Sequence, residues 1–155
     1  MTAVGDYLLR NAAFTDLDAP TLYAILQLRL DVFVVEQRCV YRELDGRDTE
    51  PTARHMWLQD SSGAIVTYLR TLAEDRDVTR VGRVVTSPAF RGRTLADQLL
   101  QAALSGISGP VVADAQEHLQ AWYERHGFLV SAPPVLYDGI AHVPMRRPAL
   151  DAGRQ

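Results

Sequence analysis

Arg91-Gly92-Arg93-Thr94-Leu95-Ala96 follows a β-rich run, Thr79–Thr86, that stops at Ser87-Pro88. It opens a helical stripe of Leu95, Leu99, Leu100, Ala103 and Leu104. This order of strand, glycine-containing turn and helix governs how the rest of the chain is read. The first amides of a helix have no intrahelical acceptor and carry the positive end of its dipole. A small-residue turn lets the backbone wrap an anion there, and arginines add charge-assisted hydrogen bonds. Taken alone, the segment fits either a phosphate cradle or an ordinary helix start. It is not a P-loop, because Gly-Lys-Ser/Thr is missing, nor a dinucleotide fingerprint, because it holds one glycine.

Toward the C-terminus, Gly106–Pro110 ends the helix and Val111–Ala115 reads as a short strand. Leu119, Trp122, Tyr123 and His126 share a face of a second helix, which Gly127 terminates at C′. Phe128–Val130 starts another strand, Tyr137-Asp138-Gly139-Ile140 a turn, and His142–Met145 a last strand. Toward the N-terminus, Tyr7–Phe14 is a first strand. Asp16–Pro20 is a helix start, with acidic residues and a proline suited to the first turn. Leu22, Ile25, Leu26 and Phe33 follow at helical spacing, and this helix ends near Val34–Gln37. Cys39–Thr52 is a long polar loop carrying Glu43, Asp45, Asp48 and Glu50. His55–Gln59 and Ile65–Leu72 form a hairpin about Ser61-Ser62-Gly63. Strands and helices in this order make a mixed α/β fold with helices packed on a sheet.

The 155 residues fit one domain, expected over 1–147, with 148–155 as a flexible tail. A hydrophobic share of 47% and a charged share of 23% exclude a largely disordered chain. No apolar run approaches the roughly 20 residues of a membrane span, so no membrane association is expected. Met1–Asp6 lacks the basic and apolar regions of a signal peptide, and the expected location is cytoplasmic. The net charge of -3 argues against nucleic acid as a partner. All sixteen basic residues are arginine. The single cysteine, Cys39, allows neither an intramolecular disulfide nor a cysteine-built zinc site. It reads as a small buried residue rather than an acyl carrier. His118, His126 and His142 lack metal-ligand spacing, so no metal is expected.

Taken together, the Arg91–Ala96 turn and Tyr123, Gly127 and Phe128 resemble the GNAT superfamily of acyl-CoA-dependent N-acetyltransferases. The family's phosphate loop reads Arg/Gln-x-x-Gly-x-Gly/Ala. Arg91, Gly92, Arg93, Leu95 and Ala96 fit it, and Thr94 stands where glycine is usual. Tyr123, Gly127 and Phe128 match Tyr-x-x-x-Gly-Phe, and Gln116 stands where many members have asparagine. Leu28–Tyr41 with Glu43, Asp45, Gly46 and Asp48, and Ala115–Tyr123, are similar to the ElaA-like subgroup. The resemblance runs from Tyr7 to Arg147.

This resemblance implies a single α/β (α+β) GNAT-type domain. Its sheet would be mixed and mainly antiparallel, with helices on both faces and a splay between the strands near Val85 and Val112. The co-substrate would be acetyl-CoA, with no metal. Backbone groups of Val84, Val85 and Thr86 would pair with the pantetheine arm as an added strand. Arg91, Gly92, Arg93, Thr94, Leu95 and Ala96 would hold the pyrophosphate, with Gln116 also at the cofactor site. Positive φ at Thr94 would be strained, whereas negative φ would free its hydroxyl for phosphate. Tyr123 would protonate the departing thiolate. The amine must attack in its neutral form, so a base is required. Glu36 and His55 lead the candidates, with Glu43, Asp45 and ordered water behind them. The acceptor would be a small-molecule or peptide primary amine, and the Glu43–Glu50 charge favours a cationic one. Many folds of this kind dimerise through strands or loops, which keeps a homodimer among the expectations, although no sequence feature marks an interface. The alternatives are a non-catalytic acyl-CoA sensor, a transferase of longer acyl groups and, against the charge, a nucleic-acid-binding module.

Overall fold

The computed structural model describes residues 2–151. Among them, nine strands form one sheet: β1 (Thr2–Val4), β2 (Tyr7–Ala13), β3 (Arg54–Gln59), β4 (Ile65–Ala73), β5 (Thr79–Thr86), β6 (Val111–Gln116), β7 (Leu129–Val130), β8 (Val135–Tyr137) and β9 (Ile140–Arg147). The helices are α1 (Ala19–Arg29), α2 (Leu95–Ser105) and α3 (Gln120–Arg125). β1 to β5 form an antiparallel meander, β6 joins β5 in parallel, and β9 pairs with β6, β7 and β8. Parallel neighbours need a crossover, which α2 supplies.

Helices cover both faces. Along β3, Met56 and Leu58 point to one side and Trp57 to the other, as the two-residue period requires. The first side packs under α2 and α3 with Leu69, Leu99, Leu100 and Phe128. Trp57, Tyr68 and Val85 pack under α1 with Ile25, Leu28, Val32 and Phe33. Asp18 starts α1 by accepting the Thr21 amide at 2.7 Å, with Pro20 in the first turn. After Arg29 the helix widens into a π-helical segment, Leu30–Glu36, which ends against the Gln37 amide. The helical spacing did not reveal this change of winding, because Val32 and Phe33 stay buried through it.

β1, β8 and the length of β9 are the main additions to the sequence reading. Gly127 has φ of +88°, and Asp138 and Gly139 are both left-handed at the β8–β9 turn. At the expected tail, the Leu150 amide donates to the Ser108 carbonyl at 3.0 Å, which holds that part against the α2–β6 connection. Residues 152–155 of the tail lie outside the described residues.

Two features of β5 open the sheet. Its pairing with β6 stops after Thr79–Val111 and Arg80–Val112. Its register against β4 then slips: Tyr68 faces Val85 but Arg70 faces Gly82, which puts an extra residue into β5. Arg83 sits in that bulge at φ of +54°. A bulge bends its strand and raises the local twist, so β5 leaves β6 and a wedge opens between them.

Candidate active site

The wedge is a cleft of about 810 Å³ running between β5 and β6 from the start of α2 to the β8–β9 hairpin. Val84, Val85 and Thr86 line it. With no β6 partner beyond Arg80, this stretch of β5 presents an open strand edge. A peptide-like arm added to such an edge gains main-chain hydrogen bonds.

One end of the cleft is the Arg91–Ala96 turn. Gly92 has φ of +77° and Thr94 φ of +58°, and no side chain caps the amides that follow. Thr94 therefore takes the strained alternative. Its Oγ1 donates to the Arg93 carbonyl at 2.7 Å and accepts from Gln98 Nε2 at 3.1 Å, so the hydroxyl is engaged inside the turn. Leu95 points into the core and Ala96 lines the cleft. Arg93 lies over the Phe90 ring and donates to the Tyr7 hydroxyl at 3.3 Å. Arg91 lines the cleft and is ion-paired with Glu36 at 2.8 Å. A backbone turn of left-handed residues, open helix amides and the Arg91 guanidinium can seat an anion, with Arg93 alongside but turned away from the cleft wall.

Tyr123 stands on the opposite wall from α3, 5% exposed. Burial, and then the negative charge of Asp114, push its phenol above the ordinary tyrosine value. A phenol that stays protonated through neutral pH is suited to donate a proton or hydrogen bond. Trp122 packs edge-on against it, held by Asp97 at 2.9 Å. Gln116 lines the cleft from β6 and donates to Gln37 at 3.0 Å, which ties the end of the π-helical segment to the far side of the wedge.

The other end is walled by Asp45, Arg70 and Arg83 and backed by a buried charge network whose arginines the sequence reading missed. Arg29 is fully buried. Its Nε donates to Glu43 Oε1 at 2.9 Å, and its Nη1 and Nη2 donate to the two Asp48 oxygens at 2.7 and 3.3 Å. Arg70 on β4 donates to both Asp45 oxygens at 2.9 Å and to Asp48 at 3.0 Å. The bulged Arg83 brings Nε to 2.9 Å from Glu43 and stacks over Tyr41. Burial alone would raise the Asp48 carboxyl, but the Arg29 hydrogen bond and the charges of Arg29 and Arg70 bring it below its usual value. The Arg70 hydrogen bond, with help from Arg47 and Arg83, takes Asp45 well below the carboxylate range against its own burial. A signal for Arg29 was present in the sequence: it lies in helical register with Ile25 and Phe33, on the face that must be apolar.

Three expectations are corrected by this geometry. His55 is 1% exposed and stands in the core, not on the cleft wall. Its Nδ1 meets the Tyr68 hydroxyl at 2.7 Å and its Nε2 the Asp48 carbonyl at 3.0 Å, so neither nitrogen is open to an amine. Glu36 is on the wall, but Arg91 holds it at the phosphate-loop end. Glu43 and Asp45 are committed to arginines, so the acidic loop turns its charge inward and no longer argues for a cationic acceptor. Among the described residues, no group of three or more His, Cys, Asp or Glu is placed to hold a metal ion, and no helix is long and apolar enough to cross a membrane.

The acetyltransferase (GNAT) domain model matches residues 27–148. The chain belongs to the GNAT family. A UPF0039 protein of Mycobacterium tuberculosis is 45% identical over 144 residues, covering 90% of this chain and 92% of the relative. Protein ElaA of Escherichia coli is 39% identical over 147 residues, covering 89% and 94%. The crystal structure of ElaA superposes with a TM-score of 0.83 at 35% identity, over 91% of this chain and 99% of that one. An acyl-CoA N-acyltransferase from Pseudomonas aeruginosa superposes at 0.85 with 40% identity, over 91% and 99%. This GNAT chain is thus ElaA-like, with the acyl-CoA N-acyltransferase fold that its residues implied.

Proposed function

We propose that this GNAT protein transfers the acetyl group of acetyl-CoA to a primary amine, by direct attack while both substrates are bound. The observation that carries the reading is the continuity of the cleft. An open β5 edge leads from an uncapped, arginine-flanked helix start to a buried phenol. A phosphate-bearing thioester fits the two ends at once. Acetyl-CoA supplies the activated acyl carbon, while the chain's residues bind, orient and manage protons. The Arg91–Ala96 turn would take the pyrophosphate, the Val84–Thr86 edge the pantetheine amides, and Gln116 the same arm from across the wedge. Tyr123 would donate to the leaving sulfur. The acceptor is a small-molecule or peptide amine entering from the Tyr41–Tyr137 end.

Calorimetric titration with acetyl-CoA, with ATP as the control, tests the cofactor. Saturation at micromolar acetyl-CoA without ATP binding supports the reading, and no binding removes it. Thiol release in the presence of a panel of primary amines then tests the transfer. Binding without release for any amine would favour a sensor.

A further inference from the structure

An attacking amine needs a group that can accept its proton, and the carboxylates around the cleft are poor candidates. Glu36 is held by Arg91, Asp45 by Arg70, and Asp114 by Arg80 at 2.8 Å. Glu43 lies between Arg29 and Arg83. Each of these carboxylates already faces a guanidinium, which an incoming ammonium would have to displace.

His142 differs from all of them. It is on β9, paired with Gln116 of β6, and the residue is 6% exposed yet part of the cleft wall. Nδ1 lies 2.9 Å from the Ile140 carbonyl oxygen. A carbonyl can only accept, so Nδ1 carries the hydrogen and the neutral ring's lone pair is on Nε2. Nε2 has no hydrogen-bond partner among the described residues. Tyr41 and Tyr137 meet the ring edge-on at centroid distances of 6.0 and 5.0 Å and fix its plane. Besides these two phenols, the polar and titratable groups that share this part of the cleft wall include Gln116, His118, Asp114 and Arg83, the last over the Tyr41 ring.

We propose that His142 is the general base for the acceptor, a role that rests on the acetyltransferase reading above. The ammonium form of the acceptor gives one proton to Nε2, which passes it to water. The freed lone pair forms the C–N bond as the C–S bond breaks, and the electron pair of that bond goes to sulfur. Tyr123 gives the thiolate its proton and recovers the second proton of the nitrogen. The sum is ammonium plus acetyl-CoA giving amide, CoA thiol and one proton in solution.

The first test needs no acceptor. In protein labelled with ¹⁵N-histidine, the neutral His142 ring should show a protonated Nδ1 and a bare Nε2, and the reverse tautomer would overturn the assignment. The second uses His142→Gln and His142→Ala with the amine panel of polyamine, aminoglycoside and dipeptide. Expected is a loss in kcat/KM of about 10²–10⁴-fold. Acetyl-CoA Kd and melting temperature should hold. Added imidazole should restore part of the His142→Ala rate. Unchanged kcat/KM overturns the base, and so does a parallel loss of acetyl-CoA binding, which would mark a structural role. A wild-type protein that binds acetyl-CoA and acetylates no amine removes the acetyltransferase reading and His142 with it. An active wild type with fully active variants removes His142 alone.

Discussion

The two ends of the cleft are built by different means. The phosphate-loop end is made within a few residues of one another by backbone: left-handed Gly92 and Thr94 and the open amides of α2. The far end is walled by Arg70 and Asp45 and backed by a buried network whose partners are 14, 19 and 25 residues apart, Arg29 with Glu43 and Asp48, and Arg70 with Asp45. A local backbone device tolerates substitution at its rim, because the amides remain. A buried charge network does not, because each ion is compensated only by the others.

The strongest way to break that contrast is Arg29→Met. It leaves Glu43 and Asp48 buried against a missing cation, and the expected loss is about 3–5 kcal/mol of folding stability, read by urea denaturation. Adding Glu43→Gln and Asp48→Asn should recover much of it. Arg29→Lys should fall between, since an ammonium cannot reproduce the two-pronged contact. Acid probes the same network. The Asp45 and Asp48 carboxyls titrate below their unfolded values. Their contribution is therefore complete above pH of about 4 and is lost as pH falls through the folded values. Glu43, raised by burial, works in the opposite sense and softens that loss. Unfolding that began well above pH 5 would contradict this ordering.

Tyr123→Phe tests the wall between the ends. Removing a proton donor should lower kcat by about 10²-fold or more while acetyl-CoA Kd stays within twofold. Because the phenol is raised above its ordinary value, Tyr123 should produce no fall in rate up to pH of about 10. An unchanged kcat would remove it as the acid.

Much of this arrangement was legible in the sequence, and its limits follow from the same contrast. β5 appears at its observed bounds because Thr79–Thr86 is β-rich and stopped by Ser87-Pro88. The start of α2, the end of α3 at Gly127 and the Tyr123 position are local patterns of caps, turns and period. Arg29, Arg70 and Arg83 were not recovered, since an arginine in a strand or helix reads as surface until its carboxylate partner is known. His55 failed for the same reason: being near the right strand does not say which face its ring takes. The bulge at Arg83 had one sequence mark, the neighbouring Gly82 inside a β-rich run, but nothing marked arginine as the residue that takes positive φ.

Arg91→Ala with Arg93→Ala addresses the local end. Both side chains sit at the rim, so the fold should survive with its melting temperature little changed. CoA should bind about 10- to 100-fold more weakly, the scale of losing charge-assisted hydrogen bonds. Pantetheine, which lacks the pyrophosphate, should bind the variant as well as it binds the native chain. Equal losses for the two ligands would mean that the turn itself had been disrupted.

The smallest effect is the most specific to the backbone argument. A β-branched residue in the left-handed region costs roughly 1–2 kcal/mol, and Thr94 is there at φ of +58°. Thr94→Gly removes that cost but loses the hydroxyl's two hydrogen bonds and frees the unfolded chain, an entropic cost of roughly 0.5–1 kcal/mol. The net change in stability should lie within about 1 kcal/mol of zero. Thr94→Ala separates the contributions, since it gives up the same hydrogen bonds while keeping a Cβ in the strained conformation. Glycine should therefore be more stable than alanine by about 1 kcal/mol, seen as a difference in denaturation midpoint, and should bind CoA at least as well as threonine. Alanine matching or exceeding glycine would mean that Thr94 is not held left-handed in solution, and that the turn relies on its hydroxyl rather than on its backbone.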